Sequence, residues 1–155
     1  MRRQDRAVTD ERELRAILDS CKVCRIAMQD RDGLYIVPMN FGYTWEDGVL
    51  RLYFHSAGEG RKLEALAENP HVAFEMDSGH ALVEGDTACA YAYRFQSIIG
   101  SGEAAFITDS AEKKKALSLL MQHQTGRDFF FDDRMAATVT VFQIRATAFT
   151  GKRHL

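Results

Sequence analysis

The sequence predicts a mainly β protein, an antiparallel barrel with helices packed against its outside. Strand-type runs follow one another through tight turns, and Asp-Gly pairs end two of these turns, at 30–33 and 46–48. An Asp-Gly pair between β-rich runs is a strong hairpin signal. The helical segments do not alternate regularly with the strands, and the chain contains no G-x-G-x-x-G motif or P-loop. A parallel doubly wound sheet is therefore disfavoured.

The first half of the chain is predicted to hold two helices and three strands. Asp10 and Glu13 have the spacing of a capping box, and Leu14, Ile17 and Leu18 form one apolar stripe behind it. The predicted elements are a helix at about 9–20, strands at 23–29, 34–43 and 49–55, and a helix at about 58–68.

The second half is predicted to place strands around one long helix. Gly100 and Gly102 interrupt a β-type region, which indicates a bulge or a sharp bend rather than a break. Three consecutive phenylalanines, 129–131, lie in a polar loop; of a dimer patch, a lid and core packing, we favour core packing. The predicted elements are strands at 71–76, 81–84 and 91–107, a helix at 110–124, a loop at 126–134 and a strand at 138–149. Asp109 or Ser110 is expected to cap the helix at 110–124, and its apolar residues Leu117, Leu120 and Met121 are expected to face the core.

Length and composition indicate one globular domain spanning 1–155. The chain has 155 residues, of which 46% are apolar and 27% charged, enough for a core of its own. A formal net charge of -2 gives no basic field for nucleic acid. No apolar run approaches the roughly 20 residues of a membrane helix, and no apolar stretch follows the basic start as in a signal peptide. We expect a cytoplasmic protein with neither a nucleic-acid nor a membrane partner.

Cys21 and Cys24 form a C-x-x-C pair, for which the sequence favours a structural role. A redox pair of the thioredoxin type lies at a helix N-terminus, which lowers the thiol pKa, whereas here a helix is predicted to end before the pair. A zinc site needs two further ligands at regular spacing, which Cys89 and five scattered histidines do not supply. We expect small buried residues and no metal site.

The segment 52–62 is the most informative for function. It carries His55 and Ser56 from a strand to the start of a helix, with Ser56 as the predicted N-cap and Glu59 at N3. Small residues follow Ser56, and Arg61 and Lys62 lie in the first turn, where two cations are unfavourable unless an anion compensates them. The segment thus fits a phosphate site. An ordinary capped helix with two solvated cations stays open as the alternative.

This segment is one of several that resemble the pyridoxamine-phosphate-oxidase-like FMN-binding split barrels, and within them the nitroimidazole-resistance subgroup. The resemblance covers nearly the whole chain, and the order and spacing of its segments make it specific. The segments are 1–3, 25–28, 35–43, 52–66 with Asn69-Pro70, 94–100 and 149–154.

The resemblance implies a split β-barrel that binds FMN at the interface of a homodimer. Ser56, Arg61 and Lys62 match the positions that are directed at the FMN phosphate. His55 matches a position beside the phosphate and at the mouth of the active site. A polar residue contributed by the partner chain corresponds to Ser97, or to Gln96 if the register differs by one. The segment along the flavin ring corresponds to Val37, Pro38, Met39 and Asn40.

The function implied is that of an FMN-dependent oxidoreductase reducing a small electron-poor acceptor such as a nitroaromatic. The C-terminal Trp and Arg with which the oxidases handle pyridoxal phosphate are not evident in 150–155, so oxidation of pyridoxamine phosphate is not expected. A non-enzymatic flavin- or haem-binding protein, with His55 as a possible axial ligand, is the alternative.

His55 is the candidate catalytic residue. Strand alternation places it opposite Phe54, so that it faces a ligand if Phe54 enters the core. Imidazole exchanges protons near neutral pH and could protonate a reduced acceptor. The alternative is that it only hydrogen-bonds the phosphate or a nearby carbonyl.

Overall fold

The computed structural model describes residues 4–154, so the segment Met1–Arg3 of the resemblance lies outside the described residues. No helix in the described range has the length and apolarity that crossing a bilayer requires. The helices are α1 (Glu11–Ser20), α2 (Arg61–Glu68), α3 (Ser110–Thr125) and α4 (Asp133–Ala137). The strands are β1 (Ala7–Val8), β2 (Val23–Asp30), β3 (Gly33–Asn40), β4 (Gly42–Glu46), β5 (Val49–Ser56), β6 (His71–Val83), β7 (Ala92–Ile107) and β8 (Thr140–His154).

All the strand pairs of residues 4–154 are antiparallel and form one sheet in the order β3-β2-β6-β7-β8-β5-β4, with β1 on β8. β3 and β4 follow each other in the chain with only Phe41 between them, yet they form opposite ends of this sheet. The sheet must therefore curl until its two ends meet near Phe41, where they are not hydrogen-bonded to each other. This open, curled sheet confirms the predicted split barrel.

The core fills the inside of the curl. Phe41, Phe54, Phe74 and Phe142 are fully buried, and the rings of Phe54 and Phe142 stack at 5.1 Å between centroids. Residues alternate between buried and more exposed along β5, as expected for a strand with one face on a core. Burying each such ring stabilises the fold by about 1.5–3 kcal/mol, so the strand order depends on these contacts as well as on backbone pairing.

Helix ends follow the predicted chemistry in α1 and α3. Asp10 accepts a hydrogen bond from the Glu13 amide at 3.0 Å, and Asp109 accepts one from the Glu112 amide at 2.9 Å. Helix α3 packs directly on the backbone of β4. This close packing requires glycine at position 42, because a Cβ there would lie 2.5 Å from the Leu120 nitrogen. This close approach places one face of α3 beside the end of β5.

Three predicted strand boundaries are corrected. The segment 34–43 is two strands, since the chain turns the barrel corner at Phe41. The two short strands at 71–76 and 81–84 are one strand, β6, whose pairing shifts between Ser78 and Ala81, where Gly79 has a φ of 70°. The last strand continues to His154, because residues 152–154 pair with β7 and Lys152 also with β1.

Other expectations concern side chains. Cys21 and Cys24 are buried free thiols, as predicted, and burial raises the pKa of both. Of the three phenylalanines at 129–131, only Phe131 shows the predicted core packing. It packs against a small buried cluster formed by Ala116, Leu117, Ala136 and Val141. Phe129 and Phe130 are 42% and 84% exposed, so the predicted core packing is wrong for these two residues.

Candidate functional site

The candidate site is a polar cleft between β3, the end of β5 and the start of α2, with a volume of about 260 Å³. It brings together seven of the nine residues predicted to bind a cofactor. Arg61 and Ser97 do not line it. The lining residues are Val37, Pro38, Met39, Asn40, His55, Ser56, Ala57 and Lys62.

The end of β5 delivers His55 and Ser56 to opposite faces. Phe54 and Ser56 are buried, and His55 between them is exposed, as strand alternation predicts. The Ser56 hydroxyl is buried and has no hydrogen-bond partner among residues 4–154. Within residues 4–154 the only other buried side-chain nitrogen or oxygen without a hydrogen-bond partner is the Trp45 indole nitrogen, which lies outside the cleft. A buried hydroxyl without a partner is costly unless a ligand satisfies it.

Ser56 is free because the predicted capping box is wrong. Helix α2 begins at Arg61, and its N-cap is Gly60, whose φ of 135° few other residues tolerate. Ser56 instead remains in β5, paired with Thr140 of β8. Gly58, in the loop that follows, has open space where a side chain would be. The loop therefore leaves the backbone after Ser56 approachable.

The two predicted cations separate. Lys62 lines the cleft, and no acidic side chain of residues 4–154 pairs with it. Arg61 instead donates to both carboxylate oxygens of Asp30, at 2.7 and 3.2 Å, and lies 4.5 Å above the Tyr35 ring. This contact lowers the pKa of Asp30 below its usual value. Successive residues of a helix point about 100° apart, so the two side chains leave α2 in different directions.

Strand β3 supplies the long wall of the cleft. It is an end strand of the sheet, so alternate backbone groups point away from β2 and are available to a ligand. Pro38 fits here because a proline is tolerated on an edge strand. The amide of Asn40 is held by bonds to the Lys22 carbonyl at 3.0 Å and to the Gln124 side chain at 3.2 Å.

The position predicted for the partner chain lies elsewhere on the protomer. Ser97 is buried in β7 opposite Asp77 and Lys152. Gln96 donates to the hydroxyls of Ser20 at 2.9 Å and Ser78 at 3.1 Å. Neither residue lines the cleft of its own chain.

A larger polar depression, of about 570 Å³, lies beside Tyr43 and His123. Its polar side chains other than Gln122 already have partners. Tyr43 donates to Asp19 at 2.6 Å, Lys22 to the His123 carbonyl at 2.6 Å, and His123 contacts the Cys21 carbonyl at 2.8 Å. Burial lowers the pKa of His123 and favours its neutral form. This depression is therefore a weaker candidate than the cleft.

A second, apolar pocket of about 370 Å³ adjoins the cleft and shares His55 with it. Sequence reasoning missed this pocket, because the apolar stripe of α3 was assigned wholly to the core. Its other lining residues are Leu117, Leu120, Met121, Phe131, Met135, Thr138 and Val139. No group of three metal-ligating side chains occurs anywhere in the described chain.

The curled antiparallel sheet and its cleft define the chain as a split-barrel protein. The family model of pyridoxamine 5'-phosphate oxidase matches residues 10–153. The chain belongs to this family.

Solved structures agree with this assignment. A "putative 5-nitroimidazole antibiotic resistance protein" of Bacteroides thetaiotaomicron is 34% identical, with a TM-score of 0.82 over 95% of this chain and 86% of that one. Two more distant structures share the fold. The flavocytochrome Anf3 of Azotobacter vinelandii is 21% identical, with a TM-score of 0.79 over 100% of this chain and 72% of that one. An FAD and heme binding protein of Mycobacterium smegmatis is 18% identical, with a TM-score of 0.80 over 96% and 73%. No curated protein matches the chain.

Proposed function

We propose that the protein is an FMN-dependent oxidoreductase that reduces a small electron-poor acceptor such as a nitroaromatic. The observation that carries this proposal is the buried Ser56 hydroxyl in one cleft with the Lys62 cation, neither of which has a hydrogen-bond or ion-pair partner within residues 4–154. A phosphate monoester supplies the acceptor oxygens and the negative charge that these two groups lack. The 34% identity to the Bacteroides protein supports the choice of acceptor.

The chain's own residues then have separate roles. Ser56 donates to the phosphate and Lys62 neutralises it, while the free edge of β3 at 37–40 offers backbone hydrogen bonds to the ring. The flavin, when bound, supplies the electrons for reduction of the acceptor. His55, exposed at the rim of the cleft, is placed to give a proton to the reduced acceptor.

The visible spectrum of the purified protein tests the cofactor. We expect flavin bands, bleached by anaerobic NADH or NADPH and restored by adding nitrobenzene, with loss of the nitro absorbance. A flavin that is reduced but not reoxidised by nitrobenzene would exclude the acceptor class. A Soret band in place of the flavin bands would favour the haem alternative, for which His55 is the exposed candidate ligand.

We further propose that the protein acts as a homodimer, with FMN between the two chains. The cleft's 260 Å³ lies below the roughly 300–1,000 Å³ of typical small-molecule sites, so one chain encloses FMN incompletely. A row of cross-strand neighbours on the outer face of the sheet is small, apolar or uncharged and suits a flat contact. The row is Ile36, Ala27, Ala73, Ser101 and Ala148.

Replacing Ala73, at the centre of this row, by lysine is expected to convert a dimer into a monomer that no longer retains FMN. Two introduced cations would face each other across a symmetric contact and lose their water. Analytical ultracentrifugation, followed at 280 nm and at the flavin band, measures both effects. Ala67→Lys on the exposed side of α2 is the matched control and should stay dimeric. A monomeric wild type that binds FMN tightly would contradict the proposal.

A further inference from the structure

The apolar pocket beside His55 is built from elements that are distant in the sequence. Helix α3 contributes Leu117, Leu120 and Met121, and the segment around α4 contributes Phe131, Met135 and Val139. These two elements meet over the end of β5, so the pocket opens where His55 projects. Its wall is almost wholly hydrocarbon and sulfur.

Only two polar side chains line this pocket. The Thr138 hydroxyl donates to the Met135 carbonyl at 2.8 Å and is therefore already engaged. The His55 imidazole makes no side-chain hydrogen bond or ion pair within residues 4–154. A ligand in the apolar pocket thus meets one available polar group, at the boundary with the polar cleft.

The size of the pocket suits a ligand with one ring. Small-molecule sites span roughly 300–1,000 Å³, and an apolar cavity of about 150 Å³ is enough to hold benzene. At about 370 Å³ the pocket accommodates a substituted ring but not a large polycyclic body. Met121 and Met135 are flexible, polarisable side chains that adapt to rings of different outline, so the pocket selects for apolar character more than for one shape.

We propose that this pocket binds the aromatic body of the acceptor and directs its reducible group toward His55. The inference rests on the proposed function for the identity of the ligand as an electron-poor acceptor. The pocket is contiguous with the cleft through a shared residue, and its one available polar group lies on the side where the cleft begins. An aromatic ring with a single polar substituent matches this distribution, whereas a wholly polar acceptor does not.

Methionine methyl groups provide a direct measurement that needs no flavin and no turnover. In protein labelled with ¹³C at its methionine methyls, nitrobenzene is expected to shift the Met121 and Met135 signals saturably. Met28 and Met76, buried in the main core, are internal controls and should not move. Nitromethane, which has the nitro group without the ring, should leave all four signals unchanged at the same concentration.

Val139→Phe fills the pocket and is expected to weaken the nitrobenzene response at least tenfold. Val83→Phe, a half-buried valine at the end of β6, is the matched control and should respond like wild type. Because Val139 also packs against a small core cluster, Met135→Asn is a second test. Met135 is 49% exposed, so this change should lower the apolarity of the pocket without unfolding the protein.

Three results would overturn the inference: shifts confined to Met39 in the polar cleft, shifts spread over all the methionines, or Met121 and Met135 signals that depend on protein concentration and not on nitrobenzene. The last result would show that a second copy covers the pocket. Saturable binding without reduction by the FMN-loaded protein would contradict the proposed function and leave the pocket assignment intact. Reduction of nitrobenzene by the FMN-loaded protein without these shifts would contradict the pocket assignment and leave the proposed function intact.

Discussion

Replacing His55 by alanine is expected to slow the reduction of a nitroaromatic by the prereduced protein about 10²-fold, with FMN affinity close to wild type. General acid catalysis by a positioned side chain contributes roughly 10²–10⁴-fold. His55 is exposed at the boundary of the cleft and the apolar pocket, and its position in β5 is fixed by Phe54 and Ser56, which are buried on either side. Stopped-flow reoxidation of the flavin measures the rate, and fluorescence titration measures the affinity.

His55→Gln separates proton donation from hydrogen bonding, since an amide donates a hydrogen bond but does not transfer a proton at neutral pH. Equal slowing of the Ala and Gln variants indicates proton transfer. A reduction rate close to wild type in the Gln variant indicates that His55 only hydrogen-bonds a ligand. Weakened FMN binding with a normal rate in the saturated protein would instead assign His55 to the cofactor. His71→Ala, at an exposed histidine at the start of β6, is the matched control.

Replacing Lys62 by alanine is expected to weaken FMN binding about 10- to 150-fold. A hydrogen bond to a charged group contributes about 1.5–3 kcal/mol, and each 1.36 kcal/mol is a tenfold change. Lys62 is half-buried in the cleft, and no acidic side chain of residues 4–154 competes for it. Equilibrium titration of FMN at two salt concentrations measures the effect, which should shrink as salt rises because the interaction is electrostatic.

Arg61→Ala distinguishes two arrangements of the phosphate site. Because Arg61 is held by Asp30, its loss should weaken FMN binding less than the loss of Lys62. An equal loss would show that Arg61 leaves Asp30 when FMN binds. Lys115→Ala, on the exposed side of α3, is the control for a change of net charge alone. Unchanged affinity in Lys62→Ala would place the phosphate outside this cleft.

Much of the local structure follows from short patterns in the chain. The Asp10 and Asp109 caps, the two Asp-Gly hairpins and the opposite faces of Phe54 and His55 all depend on neighbours within a few residues. Such features have local physical causes, and the sequence predicts them correctly. The resemblance carried by the motifs predicts the family, which the match over residues 10–153 confirms.

The start of α2 shows where local reasoning fails. Ser56 and Glu59 have capping-box spacing, yet pairing of Ser56 with Thr140, 84 positions later, keeps it in β5 and leaves Gly60 to begin the helix. Likewise the contact with Asp30, 31 positions earlier, takes Arg61 out of the cleft and leaves Lys62 there. Both outcomes depend on partners that the local pattern does not contain.

The sheet order and the apolar pocket likewise depend on contacts between segments that are far apart in the chain. The local sequence from Asn40 to Gly42 does not indicate that β3 and β4 lie at opposite edges of one sheet. That arrangement arises from the pairing of strands far apart in the chain. The pocket beside His55 forms because Gly42 lets α3 approach β4 and because α4 packs against α3. Periodicity identifies the apolar face of a helix. Whether that face fills a core or lines a cavity depends on the shape of the elements packed against it.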